Sequence, residues 1–488
     1  MKLILAIHIL ILFNIQLIAQ ERDSTLKDDI RSQINFLASD EMKGRKNGSE
    51  EINISASYLA DKFSSYNVMP IGDTEGYYQS VPLQKISKAT KMSIKVGDSV
   101  YDRMIPITLF DNIDYASNMI FLDHGLKEDY DNKYVEGRVV IVKSGNGENN
   151  TPNSAFASVK EKQKLAKQKG AIGIIELLDA DDDFFNAHSK RASAEKYQLQ
   201  TSSVDSFFHL LVQDINNNFF DKNGDKKEYL VQVSVSGIQR HDFVGHNIVG
   251  IVEGSDPILK NEFIVFSAHY DHLGTNNNVE EKDSIYNGAR DNAVGVVTIL
   301  NTAKSFAIKP PKRSALFLLF MGEEIGLLGS KWYVDHPLIP LNKTVFCFNS
   351  DNAGYNDKSI TTVVGLDRTS AKKNIITAAE SNGLKAVDTA AEERALFYFS
   401  DNINFAKFGI PSVTFSMGFK SFDEEIYKYY HQVEDNPETL DYDYLEKFIS
   451  TYVSAGRLIS NDQTKVFWEA DDEFYQLGQQ LYYNNSKK

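Results

Sequence analysis

The chain has one cysteine among its 488 residues. A single thiol forms no internal disulfide and builds no cysteine-rich structural metal site. Cys347 sits in Val345-Phe346-Cys347-Phe348, which reads as a buried strand, so the thiol reads as a core residue rather than a nucleophile. A basic excess is also missing: 52 Lys+Arg stand against 67 Asp+Glu, a formal charge of −15. That balance argues against nucleic acid or an anionic membrane surface as the main partner. After the first 19 residues no apolar run approaches the ~20 residues that span a bilayer, so no stable membrane insertion is expected. There is no internal repeat and no low-complexity block. Neither His-Glu-x-x-His nor Gly-x-Ser-x-Gly occurs, which removes two common hydrolase signatures. Asp181-Asp182-Asp183 reads as a solvated loop, and Asp221-Lys222-Asn223-Gly224-Asp225 has the wrong spacing for a calcium loop.

What is present begins with Met1-Lys2, the apolar run Leu3–Phe13 and Leu17-Ile18-Ala19. This pattern predicts a signal peptide over residues 1–19, cut after Ala19, and hence export to the periplasm or the exterior. A membrane anchor is the competing reading, and the apolar run is short for it. With 42% hydrophobic and 24% charged residues, the remainder can bury a sizeable core.

Three stretches follow. Residues 20–93 carry helical spacing at Leu26, Ile30, Ile34 and Leu37, and again from Ile52 to Phe63, with a break at Gly44-Arg45-Lys46-Asn47-Gly48. Residues 94–236 change to short β-runs around one strand–helix–strand segment, Val139–Val142, Lys160–Lys169 and Gly170–Ile175. Asn223-Gly224 there reads as a hairpin turn. This stretch reads as an inserted β-rich α+β module. Residues 237–488 alternate apolar strands with helices, predicting an α/β core with a mixed, mostly parallel sheet flanked by helices.

The chemistry gathers in that last stretch. Phe263–Ser267 runs into Ala268-His269-Tyr270-Asp271-His272, Ser314–Phe320 into Met321-Gly322-Glu323-Glu324, and Thr344–Phe348 into Asn349-Ser350-Asp351. In open α/β sheets the strand C-termini are where ligands bind. Asn287-Gly288-Ala289-Arg290-Asp291-Asn292 and Tyr429-Tyr430-His431 add further groups. Each has a bland reading: a polar strand cap at His269, a helix N-cap at Asp291, first-turn acids at Glu323-Glu324, a turn at Asp351, a surface histidine at His431. Together they would be five separate coincidences. Two histidines with three or four carboxylates suit two divalent ions ~3.5–4 Å apart, held by a shared carboxylate. One acid is then left over as a general base.

These motifs resemble the co-catalytic dizinc aminopeptidases, relatives of glutamate carboxypeptidase II, the transferrin receptor ectodomain and glutaminyl cyclase. The residues that carry the likeness are Ser267–Gly274, Asn287–Asn292, Gly322–Ser330, Asn349-Ser350-Asp351 and Tyr430-His431, with Leu37–Glu41 and Gly44-Arg45 near the start. The resemblance implies one zinc on His269, Asp291 and Asp351, and a second on Asp291, Glu324 and His431. It implies Glu323 as general base, Asp271 as a support for the ligands and Tyr430 as a group that polarises the scissile carbonyl. Peptides are the implied substrates. Glu136–Val142 and the Lys-rich helix before Gly170-Ala171-Ile172-Gly173 resemble a protease-associated domain, a module that shapes substrate access and carries no chemistry. One departure stands out: Phe399 occupies the place before Ser400-Asp401 where relatives often carry Arg. A carboxypeptidase, a glutaminyl cyclase and a non-catalytic binding protein are the alternatives. The full ligand set favours hydrolysis over the one-zinc cyclases and over the binding protein.

Overall fold

The computed structural model describes residues 26–73, 76–108, 111–149, 151–192, 195–200, 207–223, 228–276 and 283–484. The expected signal segment lies outside the described residues. Among the described residues no helix is long and apolar enough to cross a membrane. The chain forms two compact units, Met1–Pro82 with Val244–Lys488, and Leu83–Phe243.

The first unit opens with helix α1, residues 26–37, and α2, Glu50–Ser65. Ser49 Oγ accepts from the Ile52 N–H and caps α2, whose buried stripe is Ile52, Ala56, Leu59, Ala60 and Phe63. Next come β1 (Tyr78–Ile86), β2 (Arg240–Val252), β3 (Phe263–His269), α3 (Gly295–Ile308), β4 (Ser314–Phe320), α4 (Leu328–Asp335) and β5 (Thr344–Ser350). The unit is completed by β6 (Ile360–Val364), α5 (Lys372–Ser381), β7 (Lys385–Val387), α6 (Asn402–Ala406), β8 (Ser412–Met417) and α7 (Tyr442–Asn461). The sheet order is β7-β6-β8-β5-β3-β4-β2-β1. Strands β8, β5, β3 and β4 are mutually parallel, while β2 runs antiparallel to β4, and β6 runs antiparallel to β8 but parallel to β7. The sheet is thus mixed and mostly parallel at its centre, as the sequence predicts.

The central strands are buried nearly end to end, the mark of a sheet covered on both faces. Alternate residues serve opposite faces. Val265, Leu316, Leu318, Phe320 and Cys347 join Tyr333 of α4 and Phe405 of α6 in one cluster. Phe266 instead packs on Phe306 of α3, and Phe348 stacks on Tyr452 of α7 with ring centroids 4.2 Å apart. Cys347 is buried, and burial pushes its thiol well up. Because β4 and β5 flank β3, the chain reverses direction across the sheet at β3, which places a crevice at the C-terminal ends of these three strands.

The second unit holds an eight-stranded sheet in the order Ser99–Tyr101, Lys91–Val96, Glu228–Ser236, Ile113–Phe121, Val139–Lys143, Gly173–Leu178, Phe208–Gln213, Met104–Pro106. The strand–helix–strand segment is Val139–Lys143, Pro152–Gln168 and Gly173–Leu178, its two strands parallel. Its helix is not basic all round. Lys162 is fully buried, 2.6 Å from Glu176, which also meets His209 at 2.8 Å. Asn223 ends a short helix, Asn218–Asn223, rather than opening a hairpin. Phe219 and Phe220 pack there as helical core aromatics, and 224–227 lie outside the described residues.

Candidate metal centre

His269 is the last residue of β3, and Asp351 directly follows β5. Glu323 and Glu324 lie three and four residues beyond the end of β4. Glu323 and Glu324 are not first-turn acids, because α4 starts only at Leu328 after left-handed Gly326 and Leu327. Asp291 is not a helix cap either. The chain kinks through Asp291 and Asn292, α3 begins at Gly295, and Asn292 Oδ1 accepts from the Gly295 N–H. Asn292 therefore caps the helix and leaves the Asp291 carboxylate free.

Asp291 faces two ways. Its Oδ1 is 3.2 Å from His269 Nε2, which is also 3.1 Å from Asp351 Oδ1. Its Oδ2 is 3.1 Å from His431 Nε2, and that nitrogen is 3.5 Å from Glu324 Oε2. Two groups of donors thus share one carboxylate. A carboxylate oxygen of Glu323 lies within 4.8 Å of His269 and Asp351 donors. All five expected ligands and the expected base meet in one place.

The structure adds residues that the sequence reading left without a role. His272 is buried, with Nδ1 2.7 Å from Glu324 Oε1 and 3.9 Å from Asp291 Oδ2. It was within reach, since it closes the His269–His272 run. Asp435 is buried and accepts from the main-chain N–H groups of Arg290 and Asp291. No sequence signal marks it beyond its place four residues after His431. Ser400 donates to Asp351 Oδ2 at 2.5 Å and accepts from Asn349. Asp271 acts differently from a simple partner for His269. The Nδ1 of His269 is 3.2 Å from the main-chain oxygen of Asp271, and the carboxylate is 3.8 Å away. That carboxylate instead accepts from the N–H groups of Glu323 and Glu324, each at 3.2 Å, and from Asn47 at 2.7 Å. Tyr430 stacks on His431 with centroids 4.0 Å apart. Phe399 is 69% exposed.

The electrostatics follow from burial and crowding. Burial pushes the Glu323 carboxyl well up, His269 opposes it, and Asp351, Glu324 and Asp401 add to it. Burial likewise lifts Asp401 to about 7, against His269. Burial works against the Asp291 carboxylate too, yet bonds from His269 and His431 hold it well below the usual range. Burial opposes the His431 imidazolium, but the Asp291 and Glu324 carboxylates raise it to about 9. Six carboxylates crowd around three histidines, so the centre needs added positive charge. Two divalent cations would supply it, and the mixture of imidazole and carboxylate suits zinc. The donor groups, already gathered around a shared carboxylate, fit that pair.

Residues 247–455 match peptidase family M28. Over 208 residues the chain is 28% identical to Aminopeptidase YwaD of Bacillus subtilis (strain 168), covering 41% of this chain and 42% of that protein. It is 35% identical over 112 residues to a vacuolar membrane protease of Lachancea thermotolerans, covering 23% of this chain and 10% of that one. The chain thus spans less than half the length of these curated relatives. An aminopeptidase from Aneurinibacillus sp. strain AM-1 shares the fold at a TM-score of 0.58 and 20% identity, covering 91% of this chain and 96% of that one. Every histidine and carboxylate of the paired centre falls within residues 247–455, the segment that matches peptidase family M28.

Proposed function

We propose that the chain is an exported zinc metallo-exopeptidase, an aminopeptidase that removes N-terminal residues from peptides. The observation that carries the reading is the double engagement of Asp291, one oxygen toward His269 and the other toward His431. The family match and the aminopeptidase among its relatives point the same way. Export rests on the sequence pattern of residues 1–19. The unit Leu83–Phe243 is read as a protease-associated module, supported by its parallel strand–helix–strand at the residues that carry that resemblance.

His269, Asp291 and Asp351 would hold one zinc ion, and Asp291, Glu324 and His431 the other. Bound there, the ions supply Lewis acidity toward a peptide carbonyl and lower the pKa of an attacking water. Glu323 takes a proton from that water and delivers it to the leaving amine as the C–N bond breaks. Burial raises the Glu323 carboxyl in the metal-free centre, and the positive charge of bound cations would favour the ionised form that a base needs. Asp271 fixes the Glu323-Glu324 backbone and so aims both side chains. Tyr430 lies beside His431, and burial keeps its phenol protonated, a donor for the substrate carbonyl oxygen.

The test has two parts. Plasma emission on purified protein should give two zinc per chain. Digestion of a peptide library, read by mass spectrometry, should show stepwise loss from the N-terminus. Loss from the C-terminus would make it a carboxypeptidase, and cyclised N-terminal glutamine a glutaminyl cyclase. Two zinc with no change in any peptide would make it a binding protein.

A further inference from the structure

The break between α1 and α2 sits against the ligand loops. Gly44 there is left-handed, and a Cβ on it would come within 2.3 Å of the Tyr286 carbonyl and 2.6 Å of the Gly274 carbonyl. Arg45 follows, also left-handed at φ 46°, a conformation that costs a non-glycine residue energy and persists only where the surroundings fix it. Its side chain is 1% exposed. The guanidinium donates to four main-chain carbonyls: Tyr270 at 2.9 Å, Asn287 at 2.8 Å, Gly288 at 3.0 Å, and Leu37. Tyr270 adjoins His269. Asn287 and Gly288 lead into Asp291. The Arg45 carbonyl accepts from the His272 N–H at 3.3 Å, and two residues on Asn47 holds Asp271.

Among the described residues no carboxylate pairs with Arg45, so its charge stays uncancelled by a salt bridge. Burial lowers its pKa to about 10, and the carboxylates of Asp291, Asp271, Asp435 and Glu324 oppose that fall. A fully buried cation bound only to carbonyls is costly unless its field is used. Here the field falls on the acids of the paired centre.

We infer that Arg45 is a positioning residue of the metal centre: its fork sets the spacing between the His269 and Asp291 loops, and its fixed charge steadies their carboxylates before zinc binds. The inference rests on the two-zinc reading and deepens it. Lysine cannot replace this arginine, because one ammonium has no planar fork to reach carbonyls on three segments.

The test compares wild type with Arg45→Lys and Arg45→Gln. Zinc affinity is read by competition with a chromophoric chelator on protein whose fold is checked by circular dichroism. Folded Arg45→Lys should bind zinc ~10–100-fold more weakly, as for other residues that orient ligands. Its KM at saturating zinc should match wild type. A purely structural residue would lower the melting temperature and leave the zinc affinity of the folded protein unchanged, and that result overturns the inference. Hydrogen exchange on zinc-free wild type covers the case in which neither variant folds. Peptides over 268–274 and 285–292 should already be protected, and free exchange there until zinc is added counts against the clamp. Wild type that binds no zinc would sink the two-zinc reading itself. Wild type with two zinc and Arg45→Lys of equal affinity would sink only the role of Arg45.

Discussion

Asp435 accepts from the main-chain nitrogen of Arg290 at 2.9 Å and from its guanidinium Nη1 at 3.0 Å. Arg290 immediately precedes Asp291, and Asp435 lies four residues after His431. This buried pair therefore ties together the two loops that bring Asp291 and His431 within 3.1 Å. Removing one partner leaves the other charge buried without compensation. Asp435→Ala should destabilise the protein by ~3–5 kcal/mol, read from urea unfolding of the metal-stripped chain. An unchanged midpoint would show that the loops hold their spacing without it.

Glu323→Gln should keep both ions and lose ~10²–10⁴-fold in kcat, since an amide takes no proton from water. Metal content and turnover on an aminoacyl-nitroanilide are measured on the same sample. Near-normal turnover with two ions bound would assign the base elsewhere.

Asp291→Ala should abolish binding of both ions, whereas Asp351→Ala and Glu324→Ala should each weaken mainly one. Stoichiometric zinc titration separates these cases. Retention of one tight ion by Asp291→Ala would mean that its two oxygens do not serve two sites.

His272 steadies Glu324 through Nδ1, leaving Oε2 of that carboxylate toward His431. His272→Ala should weaken the ion assigned to Glu324 by ~10–100-fold and spare the one on Asp351. His272→Asn, whose amide can still donate from about the same place, should recover part of the loss. Equal loss of both ions in titration would instead cast His272 as support for the whole centre.

Asp401 is fully buried, and burial raises its pKa from 3.8 to about 7. A carboxyl whose folded pKa exceeds its unfolded one gives stability below the unfolded value and loses it as pH rises through the folded one. The acid thus favours folding below pH 3.8, and this contribution is gone above about pH 7. Asp401→Asn should raise the melting temperature of chelator-treated protein above pH 7, by the equivalent of up to about 4 kcal/mol, and have little effect near pH 4. A difference between variant and wild type that stayed flat across this window would show that Asp401 is not the buried acid inferred here.

Much of the centre is legible in the chain because its candidate ligands sit where short, buried and largely apolar strands stop. His269, Glu323-Glu324 and Asp351 each follow such a run, and local hydrophobicity with side-chain chemistry is enough to mark them. The strand–helix alternation after Asn247 likewise determines a covered, mostly parallel sheet. Tertiary structure decided what depends on approach between distant segments. That Asn292 rather than Asp291 caps α3 is a matter of backbone angles in one kink. That Lys162 is buried follows from Glu176 lying under its helix, 14 residues on. That Asp271 grips the Glu323-Glu324 backbone, and that Arg45 reaches carbonyls more than 200 residues away, are main-chain contacts. Every residue carries the same main-chain carbonyl and, proline apart, the same N–H, so side-chain identity holds no trace of which ones will meet. Only the folded chain selects them.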